Sequence, residues 1–161
     1  TDKGQIYRAK VDDFELTKAS QMGEYVPTKL SMEDDEHVVY CKVVYELNPK
    51  HHMVYIFENG KGVRINLANY QFRSSRKKLS GIYSGSSPIV AAILEDKPKD
   101  IIIVSNQGKA ITIKSSLIPE KTTRTAGGVT LLTLKGKAIK DVANITEFRH
   151  FLTPLPMQSE K

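Results

Sequence analysis

Met53-Val54-Tyr55-Ile56-Phe57-Glu58-Asn59-Gly60-Lys61-Gly62-Val63-Arg64-Ile65-Asn66-Leu67 reads as a β-hairpin. Residues 53–57 form a short apolar run of β-branched and aromatic side chains, and residues 62–67 alternate apolar with polar, as half-buried strands do. Between them, Asn59-Gly60 is the strongest short hairpin signal a sequence offers, since Gly adopts the positive φ of such a turn at little cost. The turn recurs. Asn106-Gln107-Gly108-Lys109 separates the apolar run 101–104 from the alternating run 110–114, and Asp2-Lys3-Gly4-Gln5 opens onto the alternating run 5–11.

Gly4 to Gly60 is 56 residues and Gly60 to Gly108 is 48. After each glycine come an alternating strand, a polar loop with a cation, a second strand, and an apolar third strand at 38–44, 89–94 and approximately 138–145. The next unit's hairpin strand completes the set. A period of about 50 residues built from four short strands predicts propeller-like blades. The fold class is therefore all-β, a partial ring of three blades over residues 1–52, 53–99 and 100–145, with a proline-punctuated tail over 146–161. Helix is expected only as a short turn, at 13–22 or 115–117. The chain has no initiator Met and opens on a turn, which predicts a fragment of a longer protein. Three blades leave strand edges open at both ends, so the expected remedy is cover by the tail or edge-mediated self-association with a second copy.

The sequence carries 24 Lys and Arg against 18 Asp and Glu, for a net charge of +6. Residues 1–52, 53–99 and 100–161 carry −3, +5 and +4, so positive charge is concentrated after residue 52. Its densest stretch is Gln71-Phe72-Arg73-Ser74-Ser75-Arg76-Lys77-Lys78-Leu79-Ser80-Gly81-Ile82, where Arg73, Arg76, Lys77 and Lys78 fall within six positions without an acid. The loop cation recurs in phase: Lys18 lies 14 residues after its turn glycine, Arg76 and Arg124 each 16 after theirs. Lys121 joins Arg124, and the turns themselves carry Lys3, Lys61 and Lys109. Blades standing side by side would bring these cations into a row on one rim. Such a row tracks a phosphate backbone, because each contact releases condensed counterions. With no recognition helix and no aromatic ladder, the expected mode is sequence-independent binding and bending of double-stranded DNA. The competing reading is a propeller-like protein-interaction module whose cations serve solubility.

Other functions find no support in the residues. A hydrophobic fraction of 40% and a charged fraction of 26% are those of a soluble globular chain. No apolar run approaches the roughly 18 to 20 residues that span a bilayer, and the N-terminus has no export signal. Cys41, the single cysteine, sits in Val38-Val39-Tyr40-Cys41-Lys42-Val43-Val44 and is expected to be an inert strand residue in a reducing cytoplasm. His37, His51, His52 and His150 form no zinc spacing with one another or with Cys41. Glu33-Asp34-Asp35-Glu36 lacks the alternating ligands and Gly of a calcium loop and reads as a solvated hairpin tip. There is no nucleophile elbow, Walker loop or dinucleotide fingerprint, and Gly127-Gly128 alone is no phosphate cradle. No catalytic residue, metal or cofactor is assigned.

Thr1-Asp2-Lys3-Gly4-Gln5-Ile6-Tyr7, Phe57-Glu58-Asn59-Gly60-Lys61-Gly62, Arg76-Lys77-Lys78-Leu79 and Leu117-Ile118-Pro119-Glu120-Lys121-Thr122-Thr123-Arg124-Thr125-Ala126-Gly127-Gly128-Val129 resemble the C-terminal domain of bacterial type IIA topoisomerase A subunits. That family comprises the A subunits of DNA gyrase and of topoisomerase IV. The resemblance runs from residue 1 to about 145. It implies a β-pinwheel, a propeller relative whose blades exchange a strand, that bends DNA around a basic outer rim. It also implies two protein partners, the remainder of the A subunit plus the B subunit, with breakage-reunion and ATPase chemistry outside this chain. The gyrase signature box, a Gln followed by basic residues and glycines, is absent; 122–129 is a degenerate echo with one Arg and the Gly pair. Gyrase and topoisomerase IV types both remain open.

Overall fold

The computed structural model describes residues 1–73 and 75–133, and the backbone of 139–144. The quoted hairpin is present. Strand β2 (His52–Phe57) pairs antiparallel with β3 (Lys61–Asn66) around Gly60, whose φ is +83°. Gly60 N donates to Phe57 O at 3.0 Å, and Lys61 N donates to the Asn59 side-chain carbonyl at 3.1 Å. Gly4 (φ +69°) and Gly108 (φ +75°) take the same left-handed conformation at their turns.

Every residue of β2 is buried because each of its faces meets a different core. Met53, Tyr55 and Phe57 pack with Val63, Ile65, Leu67, Tyr70, Ile82 and Tyr83. Val54 and Ile56 pack with Ile101, Ile103 and Ile118. A strand covered on both faces reads as a continuous apolar run, and each large side chain so buried stabilises the fold by about 1.5–3 kcal/mol.

Strand β5 (Ile89–Glu95) lies antiparallel along the other edge of β2. The arrangement repeats in the next unit: β6 (Asp100–Ser105) forms a hairpin with β7 (Ala110–Lys114), and β10 (Ile139–Asn144) pairs with β6 as β5 does with β2. Units are joined by exchanged strands. Strand β1 (Gln5–Tyr7) pairs antiparallel with β4 (Lys78–Ser80), while β3 receives β8 (Glu120–Lys121) in parallel and β9 (Val129–Thr130) antiparallel. The second exchange explains one glycine of the pair. Gly128 has φ +75° and packs so close that a Cβ there would collide with the Gly62 carbonyl. Tyr83 clamps the first exchange: its hydroxyl donates to Thr1 O and accepts from Gly4 N, and its ring lies 5.1 Å from that of Tyr55. The described strands form three sheets that do not close into a ring.

Three expectations fail. Residues 38–44 form no strand, and Val38, Val39, Val43 and Val44 are exposed, as is Cys41. The physical reason is visible in the later units, where the third strand zips onto the strand ahead of the turn glycine; the described residues supply no such strand ahead of Gly4. Strand β1 stops at Tyr7 instead of running to residue 11, because Lys10 N turns to the Asp13 carboxylate at 2.9 Å and Val11–Asp13 forms a 3-10 turn. A five-residue helix, α1 (Val26–Leu30), follows where none was expected. The expected solvated acidic tip holds in part: Glu33, Asp34 and Asp35 are exposed, but Glu36 is 3% exposed. The expected 3-10 turn at Ser115–Leu117 is present. The tail over 146–161 lies outside the described residues. No helix among those described is long and apolar enough to cross a membrane.

Candidate nucleic-acid interface

The basic loop is an excursion pinned at its base. Asn66 caps the 3-10 turn Leu67–Tyr70 by accepting from Ala68 N at 2.9 Å, and Leu67 and Tyr70 point into the core. The Tyr70 hydroxyl donates to Ile82 O at 3.2 Å, tying the two ends of the loop together. Burial pushes the Tyr70 pKa up to about 12, so the phenol remains a donor across the physiological range. Arg73, Arg76, Lys77 and Lys78 are all exposed. Arg76 N donates to Arg73 O at 3.3 Å, and the Arg8 guanidinium lies 4.9 Å from the Phe72 ring centre. Arg8 is a neighbour that spacing within the loop could not reveal.

The ten cations read from the sequence divide into groups. Among the described residues, Arg73, Arg76 and Lys77 have no acid within ion-pair distance. Lys78 Nζ lies 3.2 Å from Glu33 and 5.5 Å from the Tyr7 ring. Lys3 Nζ lies 2.6 Å from Asp35. Lys18 is exposed in the irregular stretch after the first 3-10 turn, its backbone N–H donating to the Gln21 side chain at 3.0 Å. Lys121, on β8, and Arg124 are half-buried, and Arg124 lies near enough to Tyr55 and Tyr70 to oppose the rise in their pKa values. Lys61 and Lys109 are exposed at hairpin turns. Lys61 opens β3 and the basic loop follows its far end, a separation of roughly 17 Å at the rise of a strand.

Two of the ten are neutralised by the acidic run, which folds onto β1. Glu36 accepts from the Thr1 hydroxyl and, at 2.7 Å, from the Tyr7 hydroxyl. Glu33 accepts from Gln5 Nε2 at 3.1 Å as well as from Lys78. His37 N donates to the Asp2 carboxylate at 2.8 Å, and Asp2 N donates to His37 O at 3.0 Å. Hydrogen bonds from Gln5 and then Lys78 hold the Glu33 carboxyl below its ordinary pKa, and Lys3 does the same for Asp35. Glu33 and Lys78 are 45 residues apart, so no local pattern announces the pairing.

A second charged cluster is internal. Arg64 donates to Glu95 Oε1 through Nε at 2.9 Å and a terminal nitrogen at 2.7 Å, and to His52 Nδ1 at 3.1 Å. His52 therefore carries its proton on Nε2 and donates to Glu120 at 2.8 Å. The network stitches β2, β3, β5 and β8, with Glu95 2% exposed. Its role is to hold units together, and the Arg64 side chain is 17% exposed.

The family model described as DNA gyrase C-terminal domain, beta-propeller, matches residues 1–44 and 99–138, two segments that flank the basic loop. The DNA gyrase A subunit of Helicobacter pylori (strain ATCC 700392 / 26695) is 25% identical over 136 residues, covering 81% of this chain and 16% of that protein. A solved C-terminal domain of DNA topoisomerase IV superposes with a TM-score of 0.75 at 19% identity, covering 89% of this chain and 45% of that one. A solved DNA gyrase A C-terminal domain gives a TM-score of 0.51 at 24% identity, covering 60% of this chain and 33% of that one. The chain thus spans about a sixth of the curated relative's length and less than half of either solved domain.

Proposed function

The chain belongs to the DNA gyrase C-terminal domain family, and from that membership we propose that it binds duplex DNA without sequence preference and bends it along its cation-bearing loops. The carrying observation is the loop of Arg73, Arg76 and Lys77: exposed, without acidic partners among the described residues, and pinned at both ends by Tyr70. Pinning matters because side chains already held in place lose less entropy on binding. Phosphate contacts position a protein without reading bases. A five-residue helix is too short to read a major groove, which favours indifference to sequence. In this reading the chain is an accessory domain of a type II topoisomerase A subunit. It works with the rest of that protein and with the B subunit in controlling supercoiling in the cytoplasm, and the parent's isomerase chemistry lies elsewhere.

The test is competition between two duplexes of unrelated sequence. Equal affinities, both reduced when Arg73, Arg76, Lys77 and Lys78 are replaced by Ala, support the reading. A large preference for one sequence, or binding indifferent to the four substitutions, contradicts it. Exposed Val43, Val44 and Tyr45 favour a second reading, a protein-interaction module. A stoichiometric protein partner captured while no duplex is retained would support that one instead.

A further inference from the structure

Resting on the DNA-binding reading above, we infer that a backbone phosphate seats in a notch between the first two units, gripped by Arg8, Lys29 and Lys77. The β1–β4 ladder ends at Tyr7 opposite Lys78, and one step beyond it Arg8 N donates to Lys77 O at 2.7 Å. Side chains alternate faces along a strand. Tyr7 and Lys78 meet on one face, so Arg8 and Lys77 share the other. Like charges directly opposite one another in an antiparallel pair repel. An anion between them turns that repulsion into a clamp. The hollow they border is about 370 Å³, and Lys29 at the end of α1 lines it too. Its lining carries one carboxylate, Asp13, which accepts from Lys10 N at 2.9 Å. Lys29 also faces Glu24 at 2.6 Å, so the notch is positive but not unopposed.

The next junction shows what the first has gained. Arg64 stands four residues after Gly60 as Arg8 does after Gly4, and its guanidinium is held by Glu95 and His52 inside the sheet. Leu79 lies opposite Ile6 and Val129 opposite Gly62, so Lys77 and Lys78 correspond to Gly127 and Gly128. The equivalent place between the second and third units therefore offers neither cation. Of these two junctions, the first alone presents this phosphate grip.

The experiment is a salt titration of duplex binding by the full 161-residue chain and its variants. Arg8→Gln and Lys77→Gln should each flatten the plot of log affinity against log salt by about 0.9 and weaken binding roughly 3- to 10-fold near 0.1 M salt. Arg8→Lys should restore most of the slope, and Lys97→Gln, exposed on another loop, should leave slope and affinity unchanged. Arg8 stacks on Phe72, so melting curves accompany its variants; Lys77, whose side chain is exposed, decides the matter if Arg8→Gln fails to fold. A wild-type chain that binds with salt dependence while Lys77→Gln keeps the full slope overturns the notch. A wild-type chain that retains no duplex at low salt overturns the DNA-binding reading, and the notch with it.

Discussion

Replacing Glu33 with Gln and Asp35 with Asn removes the charges that Lys78 and Lys3 face at 3.2 and 2.6 Å. The amide at position 33 keeps an oxygen for Gln5, so the segment stays docked while its charge is lost. In the wild-type chain a phosphate must displace a carboxylate before either lysine can neutralise it. Freed, each lysine can add one contact, and each contact contributes about 0.9 to the salt slope, so the double variant steepens it by up to about 1.8. Between 50 and 200 mM salt one contact weakens binding about 3.5-fold, so the variant's affinity should fall roughly 12-fold further than wild type across that range. At the low end it should bind more tightly than wild type. Fluorescence anisotropy of a labelled duplex reads both quantities. Asp34→Asn with Glu46→Gln changes net charge equally without freeing an ion-paired lysine, and serves as the control. A double variant with the wild-type slope would show that Lys3 and Lys78 lie off the DNA path, and would refute the reasoning.

Three further outcomes concern the frame that holds the loop. Gly128→Ala places a Cβ against the Gly62 carbonyl at a φ of +75° and should cost at least about 2 kcal/mol in urea unfolding. Gly127→Ala meets nothing within 4 Å and should stay within about 0.5 kcal/mol of wild type; equal effects would contradict the exchange geometry. Tyr70→Phe removes the bond to Ile82 O and should lower stability by about 1 kcal/mol and also weaken duplex binding. Normal affinity in that variant would mean that pinning the loop is irrelevant. For Glu36, burial raises the carboxyl pKa, but hydrogen bonds from Thr1 and Tyr7 bring it below the ordinary 4.5. A carboxyl depressed in the folded state contributes stability above its unfolded pKa that is lost as pH falls through the folded value. The melting temperature should therefore drop as pH falls below 4.5, and Glu36→Gln should flatten that dependence. An unchanged pH profile would count against the docked acidic segment.

What was legible in the sequence is what local chemistry dictates. Asn59-Gly60 specifies a turn whatever surrounds it, and the glycines at 4, 60 and 108 all adopt positive φ. The run 53–57 announces a strand, and the structure shows it buried on both faces. Residues 38–44 have the same β-branched composition but form no ladder, because a strand needs a partner and propensity cannot supply one. Glu36 looks as solvated as Glu33, Asp34 and Asp35 until Thr1 and Tyr7 are folded against it. Gly128, unremarkable in one dimension, is where two units approach too closely for a side chain. Spacing also flagged Lys3 and Lys78 as cations but could not show which acids answer them. Arg8 went unflagged because it belongs to a different unit from the loop it supports.

The central claim is that exposed cations of the basic loop hold a duplex by its phosphates. Its most direct test is the salt slope of the wild-type chain against a triple variant with Arg73, Arg76 and Lys77 replaced by Ala. The account predicts a clearly negative wild-type slope that shrinks by about 2 to 3 in the variant, while the melting temperature holds. A slope that the three substitutions leave intact would contradict it.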